Sequence, residues 1–116
     1  MMNSKKKGSA GEREFASILT GKGFPCHRND QRFTGGVGNP DVSAEGLEAY
    51  HIEVKRVERL NLGAAMEQAE HDAAGRVPVV AHRRSRRPWL ITMHLSDWLA
   101  LVKGGDKYGG IPPSSS

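Results

Sequence analysis

Tyr50-His51-Ile52-Glu53-Val54-Lys55 alternates apolar and polar side chains residue by residue. A period of two is the signature of a half-buried β-strand. Tyr50, Ile52 and Val54 give it a core face, and Glu53 and Lys55 stand two positions apart on the other, an acid and an ammonium pointing the same way. Upstream, Pro40-Asp41-Val42-Ser43-Ala44 reads as a short strand joined to the first through a turn at Glu45-Gly46-Leu47-Glu48. A hairpin of that kind can bring the Asp41 carboxylate beside Glu53. Two carboxylates held close repel each other and tend to take up a proton unless a cation sits between them. A hard divalent ion such as Mg²⁺, which prefers carboxylate and carbonyl oxygens, suits that position.

The rest of the chain must be built around this hairpin from little material. At 116 residues there is room for one domain with one core. The expected division is a loose tail over 1–7, a domain over 8–105 and a disordered tail over 106–116, where Pro-Pro-Ser-Ser-Ser closes the chain. Lys and Arg number 17 against 13 Asp and Glu, a net charge of +4 that suits a polyanionic partner without demanding one. The single cysteine, Cys26, excludes an internal disulfide framework and fits a reducing compartment. No apolar run approaches membrane-spanning length, so the expectation is a soluble, cytoplasmic protein with no membrane partner.

Taken in order, Ser9-Ala10-Gly11-Glu12 matches a capping box, opening a helix that runs to about Thr20 and stops at Gly21 or Gly23. Phe15, Ala16 and Leu19 form its apolar stripe. Glu12 either only closes the box or also directs a third acid at the carboxylate pair; the two roles are compatible. Gly23 to Arg28 reads as a strand, and the loop from Asn29 to Asn39 carries Arg32, Thr34 and three glycines. That loop is either a plain flexible connection or, given the flanking arginines, a set of phosphate contacts. Leu62, Ala65, Met66, Ala69 and Ala73 recur at helical spacing, with Gln68 at the edge of the stripe and Gly75 as the stop. His51 and His71 make a poor zinc case, since no second His or Cys stands at ligand spacing. Val77 to His82 and Pro88 to Met93 read as strands, Pro78 confining the first to its opening positions or to an edge. Between them, Arg83, Arg84, Arg86 and Arg87 crowd a turn whose forked donors suit phosphate. Ser96 is the expected cap of a last helix carrying Trp98, Leu99, Leu101 and Val102, with Gly104-Gly105 as its stop.

Pro40-Asp41 followed by Glu53-Val54-Lys55 resembles the PD…(D/E)xK pattern of restriction-endonuclease-like nucleases. Together with Gly11-Glu12-Arg13-Glu14-Phe15, Gly23-Phe24, Arg28, Gly35-Gly36 and Glu67-Gln68, it is similar to archaeal-type Holliday junction resolvases over roughly Lys7 to Met93. Similar small proteins are also encoded by bacteriophages, in which case the compartment is the host cytoplasm. The resemblance implies an α/β fold, a restriction-endonuclease-like mixed β-sheet of about five strands flanked by helices. It also implies a homodimer, Mg²⁺ dependence with Mn²⁺ able to substitute, no organic cofactor, and paired nicking of four-way DNA junctions. By position, Asp41 and Glu53 would bind metal with the Val54 carbonyl, Glu12 matches the helix acid and Lys55 the catalytic lysine. Arg28, Arg32, Thr34 and Gln68, with Arg83, Arg84, Arg86 and Arg87, would meet DNA. Two departures stand out: Thr34 where the family has Ser, and the density of arginine at Arg83 to Arg87.

Two other classes compete with that reading. One is a less selective flap or nicking nuclease of the same superfamily. The other is a non-catalytic DNA-binding module with the same fold, against which the intact Asp41/Glu53/Lys55 set speaks. For the dimer, Trp89, Leu90, Ile91, Trp98, Leu99, Leu101 and Val102 supply more apolar surface than one small core can bury.

Overall fold

The computed structural model describes residues 4–28 and 42–108, with side-chain surroundings over 10–26 and 42–104. The order of elements is α1 (Ser4–Gly21), β1 (Cys26–Arg28), β2 (Val42–Ala44), β3 (Tyr50–Arg56), α2 (Leu62–Asp72), β4 (Val77–Arg83), β5 (Leu90–Thr92) and α3 (Leu95–Tyr108). One sheet holds all five strands in the order β1-β2-β3-β4-β5. Only β3 and β4 run parallel; the other neighbours are antiparallel. A parallel pair needs a crossover, and α2 supplies it. The expected mixed sheet of about five strands flanked by helices is what the chain forms.

The two faces of the sheet are covered by different helices. Ile52 and Val54 of β3, Val79 and Ala81 of β4 and Val42 of β2 pack against Phe15 and Ala16 of α1. Phe15 is almost wholly buried, and burying a side chain of that size contributes about 1.5–3 kcal/mol. On the other face, Val80 meets Ala65 and Ala69, whose small side chains let α2 lie close to the sheet. Asn61 caps α2, its Oδ1 accepting from the Ala64 N–H at 3.0 Å.

This double cover changes the reading of β3. The strand was expected to be half-buried, with a polar face open to solvent. His51 and Glu53 are instead buried, at 0% and 5% exposure, because β3 is central and α2 lies over their side of the sheet.

Other boundaries shift for local reasons. The first helix begins at Ser4, so Ser9 lies inside it and closes no capping box at its start. Likewise α3 begins at Leu95, which puts Ser96 in its first turn rather than at the cap, and it continues through Gly104-Gly105 to Tyr108. The first strand keeps only Cys26–Arg28 of the expected Gly23–Arg28. Pro78 is the second residue of β4, an internal strand, and β5 pairs only from Val80 onward, so the missing N–H costs no bond to β5. Trp89, counted among the surplus apolar residues, is partly inside: its ring lies 5.1 Å from that of Phe15, tilted by 46°. Leu90, Ile91, Trp98, Leu99, Leu101 and Val102 are exposed.

Candidate functional site

The middle of β3 places the acid and the lysine. Glu53 pairs in register with Val80 and Lys55 with His82 of β4. On the other edge, Val42 pairs with Ile52. Val42 is the residue after Asp41 in the chain, and Ile52 the residue before Glu53. Asp41 itself, with Arg32 and Thr34, lies outside the described residues, and the side chain of Arg28 is outside them as well. Val54 is buried, its side chain turned to the α1 face of the sheet. Lys55 is half-buried at the mouth of the strand.

Glu53 does not stand alone. Its Oε2 lies 2.8 Å from Nε2 of His51, on the same face of the strand and two residues back. Burying a carboxylate is costly unless it gains a partner, and the imidazole N–H supplies one. The second ring nitrogen of His51, Nδ1, is buried and has no hydrogen-bond partner among the described residues. Asp72, the last residue of α2, closes the group: one ligand atom each from His51, Glu53 and Asp72 lie within 4.8 Å of one another. Nothing in the spacing of His51 and Asp72 along the chain announces this meeting. It arises because α2 returns the chain over β3, so the signal is tertiary rather than local.

Glu14 stands in the Gly11–Phe15 motif, which gives it no role of its own. Its Oε1 is paired with Nε of Arg56 at 3.0 Å, and its Oε2 with the Arg83 guanidinium. Nε1–H of Trp89 donates to the same Oε2 at 3.1 Å. One carboxylate on α1 thus ties down the ends of β3 and β4 and the approach to β5. Gly11, one turn earlier, lies against the Cβ of Arg56. Glu12, on the next position of α1, is half-buried.

The arginine turn divides in two. Arg83 faces inward to Glu14, while Arg84, Arg86 and Arg87 are exposed. Ser85 anchors the turn, its N–H and hydroxyl both donating to Oε2 of Glu58. A groove of about 400 Å³ runs beside it, lined by Val57, Leu60, His82, Arg84, Arg87 and Leu90 among others. Gln68 lies exposed on α2, and His71 is a solvated residue of the same helix. No helix among the described residues is long and apolar enough to cross a membrane.

No family model and no curated protein sequence matches the chain. Among solved structures, it is similar to Hjc of the archaeal hyperthermophile Archaeoglobus fulgidus, a Holliday junction resolvase. The two share 23% sequence identity over 71% of this chain and 72% of that one, with a TM-score of 0.50. An independent likeness of folds at this identity shows the architecture: the chain has the restriction-endonuclease-like α/β fold of that neighbour.

Proposed function

We propose that the protein is a Mg²⁺-dependent, structure-specific DNA endonuclease that resolves four-way junctions by paired nicks. The observation that carries this reading is the placement of Glu53 and Lys55 two residues apart on β3, in a fold shared with a Holliday junction resolvase. Beside them, the strand that follows Asp41 pairs with the strand that holds Glu53.

Glu53, a carboxylate at 5% exposure in the central strand, fits a cation better than it fits an apolar core. Asp41, Glu53 and the Val54 carbonyl would hold Mg²⁺, with Glu12 contributing from α1; this is an oxygen-only set of the kind the ion prefers. Bound there, Mg²⁺ supplies a water of lowered pKa and neutralises charge on the phosphate. Lys55 shares its face of β3 with Glu53, and its ammonium orients the attacking water or donates to a phosphate oxygen. Arg84, Arg86 and Arg87 meet the DNA backbone from the exposed turn, and Arg28, Arg32, Thr34 and Gln68 add contacts nearer the scissile bond. Two chains form the working unit, docked through the exposed apolar residues of β5 and α3.

Labelled four-way, flap and linear DNA, incubated with Mg²⁺ or EDTA, test the reading. The four-way junction should be nicked in pairs, only with Mg²⁺, with Mn²⁺ able to replace it. Asp41→Asn and Glu53→Gln should each lower cleavage by at least about a hundredfold while binding stays level or tightens, because removing an anion eases the approach of phosphate. Full Mg²⁺-dependent activity in Glu53→Gln would overturn the assignment. Equal cutting of flap and linear DNA would favour a less selective nuclease.

A further inference from the structure

The groove beside the arginine turn lies one strand away from Lys55. Val80 packs against Ala65 and Ala69 of α2, so His82, two residues on, leaves β4 on that same side of the sheet. In register, His82 has Lys55 of β3 as one neighbour and Leu90 of β5 as the other. His82 and Leu90 both line the groove, with Val57 and Leu60 from the connection that leads into α2. Neighbouring strands stand about 4.8 Å apart, so adjacent nucleotides of one DNA strand can meet Lys55 and the groove together. The groove also opens at the carboxyl ends of the parallel pair β3 and β4, where sheets with such crossovers take their ligands.

Its lining has two chemistries. Val57, Leu60 and Leu90 give it apolar surface, while Arg84 and Arg87 stand exposed at its rim. Glu58, the one acid among the described lining residues, is engaged by the N–H and hydroxyl of Ser85, which leaves the rim cationic. Thr92 occupies Nε2 of His82, and burial lowers the histidine's pKa, so at neutral pH its ring is uncharged. An imidazole of this kind is a surface on which an unpaired base stacks. The volume, about 400 Å³, is that of a small-ligand pocket rather than of an ion site. A nucleotide matches both chemistries, with an uncharged flat base and an anionic phosphate on either side of it.

We propose that this groove takes one unpaired DNA nucleotide next to the phosphate that Lys55 serves, its base on the apolar lining and His82, its flanking phosphates on Arg84 and Arg87. The inference rests on the nuclease reading and adds to it a means of choosing the branch point. Drawing a base out of the stack costs least where pairing is already interrupted. The arginines grip any DNA, and the apolar lining tells an unpaired base from a paired one.

The test is binding by the full chain, in EDTA and at one salt concentration, to three duplexes of equal length. One is fully paired, one carries a single unpaired adenine, and one carries an abasic residue in its place. The adenine duplex should bind at least about fivefold more tightly than the other two, the lower end of what stacking one base contributes. Val57→Phe, which fills the groove, should remove that preference and leave affinity for the paired duplex unchanged. Arg84→Ala should weaken all three alike. Should the circular dichroism of Val57→Phe depart from the wild type, Leu90→Gln on the exposed edge strand gives the decision, with light scattering alongside. Equal affinity for the adenine and abasic duplexes, or a preference unmoved by either groove variant, would overturn the proposal. A preference lost in Leu90→Gln together with a fall in mass would also overturn it, giving the groove to a second copy of the chain. With Mg²⁺, nicks should fall at the phosphate beside the unpaired adenine, and nicks that ignore its position would refute the placement next to Lys55. A preference for the adenine duplex in a chain that cuts nothing would uphold the groove and count against the nuclease reading alone.

Discussion

His82 lies on β4 with Nε2 2.8 Å from Oγ1 of Thr92, and burial pushes its pKa below the usual histidine value. Protonation is therefore harder in the folded chain than in the unfolded one. As pH falls through about 6.5, the unfolded chain takes up the proton first, and the folded state loses stability until the pH passes its own lowered pKa. Above about 6.5 the contribution is complete. His82→Gln, which can keep a bond to Thr92, should flatten the fall in melting temperature between about pH 7 and pH 5. A slope equal to that of the wild type would clear His82 of this role. At the same scale, Glu53 and Lys55 could be picked out of the sequence because alternation along one strand is a local property. Their burial could not, since it depends on α2 and β4 arriving from later in the chain. His51 shows the difference most sharply: read alone it had no ligand partners, and Asp72 reaches it only through the fold.

Among the elements, α1 is the one most tightly fixed to the sheet at a single point. A Cβ added to Gly11 would lie 2.9 Å from the Cβ of Arg56, the root of that side chain rather than its flexible end. Gly11→Ala gains up to about 1 kcal/mol in helix propensity. Overpacking costs about 1–3 kcal/mol, so the clash wins and the variant should be destabilised in urea titration. A more stable Gly11→Ala would show that α1 can lift without loss. The arginine turn is an element with two functions. Arg83 belongs to the Glu14 network, and Arg84, Arg86 and Arg87 do not. Changing Arg84 and Arg86 to Ala should weaken binding to every DNA shape alike and lower the slope of log affinity against log salt by up to about 0.9 per contact. An unchanged slope would make the turn solvated surface. The strands and α2 were legible in periodicity and turn residues. The stop of α1 at Gly21 was legible too, but its start and the ends of α3 were not: Ser9, Ser96 and Gly104-Gly105 are start and stop signals in isolation, and the helices run through them.

For the whole molecule, most of the exposed large apolar residues among those described belong to β5 and α3, with Ile18 and Phe24 as the exceptions. Leu90 and Ile91 on β5 and Trp98, Leu99, Leu101 and Val102 on α3 are each between 44% and 55% exposed. A twofold pair would cover them through one isologous surface and supply two Glu53/Lys55 sets for two cuts. Light scattering should give twice the mass of one chain, and excess Glu53→Gln chains mixed with active ones should suppress paired cuts. A monomer, or paired cuts undiminished by that excess, would rule the dimer out. Meanwhile, strand order in space repeats strand order in the chain. As the polypeptide leaves a ribosome, each new strand therefore meets an edge already laid down, and none must wait for a later segment to be inserted beside it. The parallel closure of β3 with β4 is the one step that needs a helix first, and loop entropy grows only slowly with that detour. Assembly can thus advance in the order of synthesis, with β5 left last as the open edge.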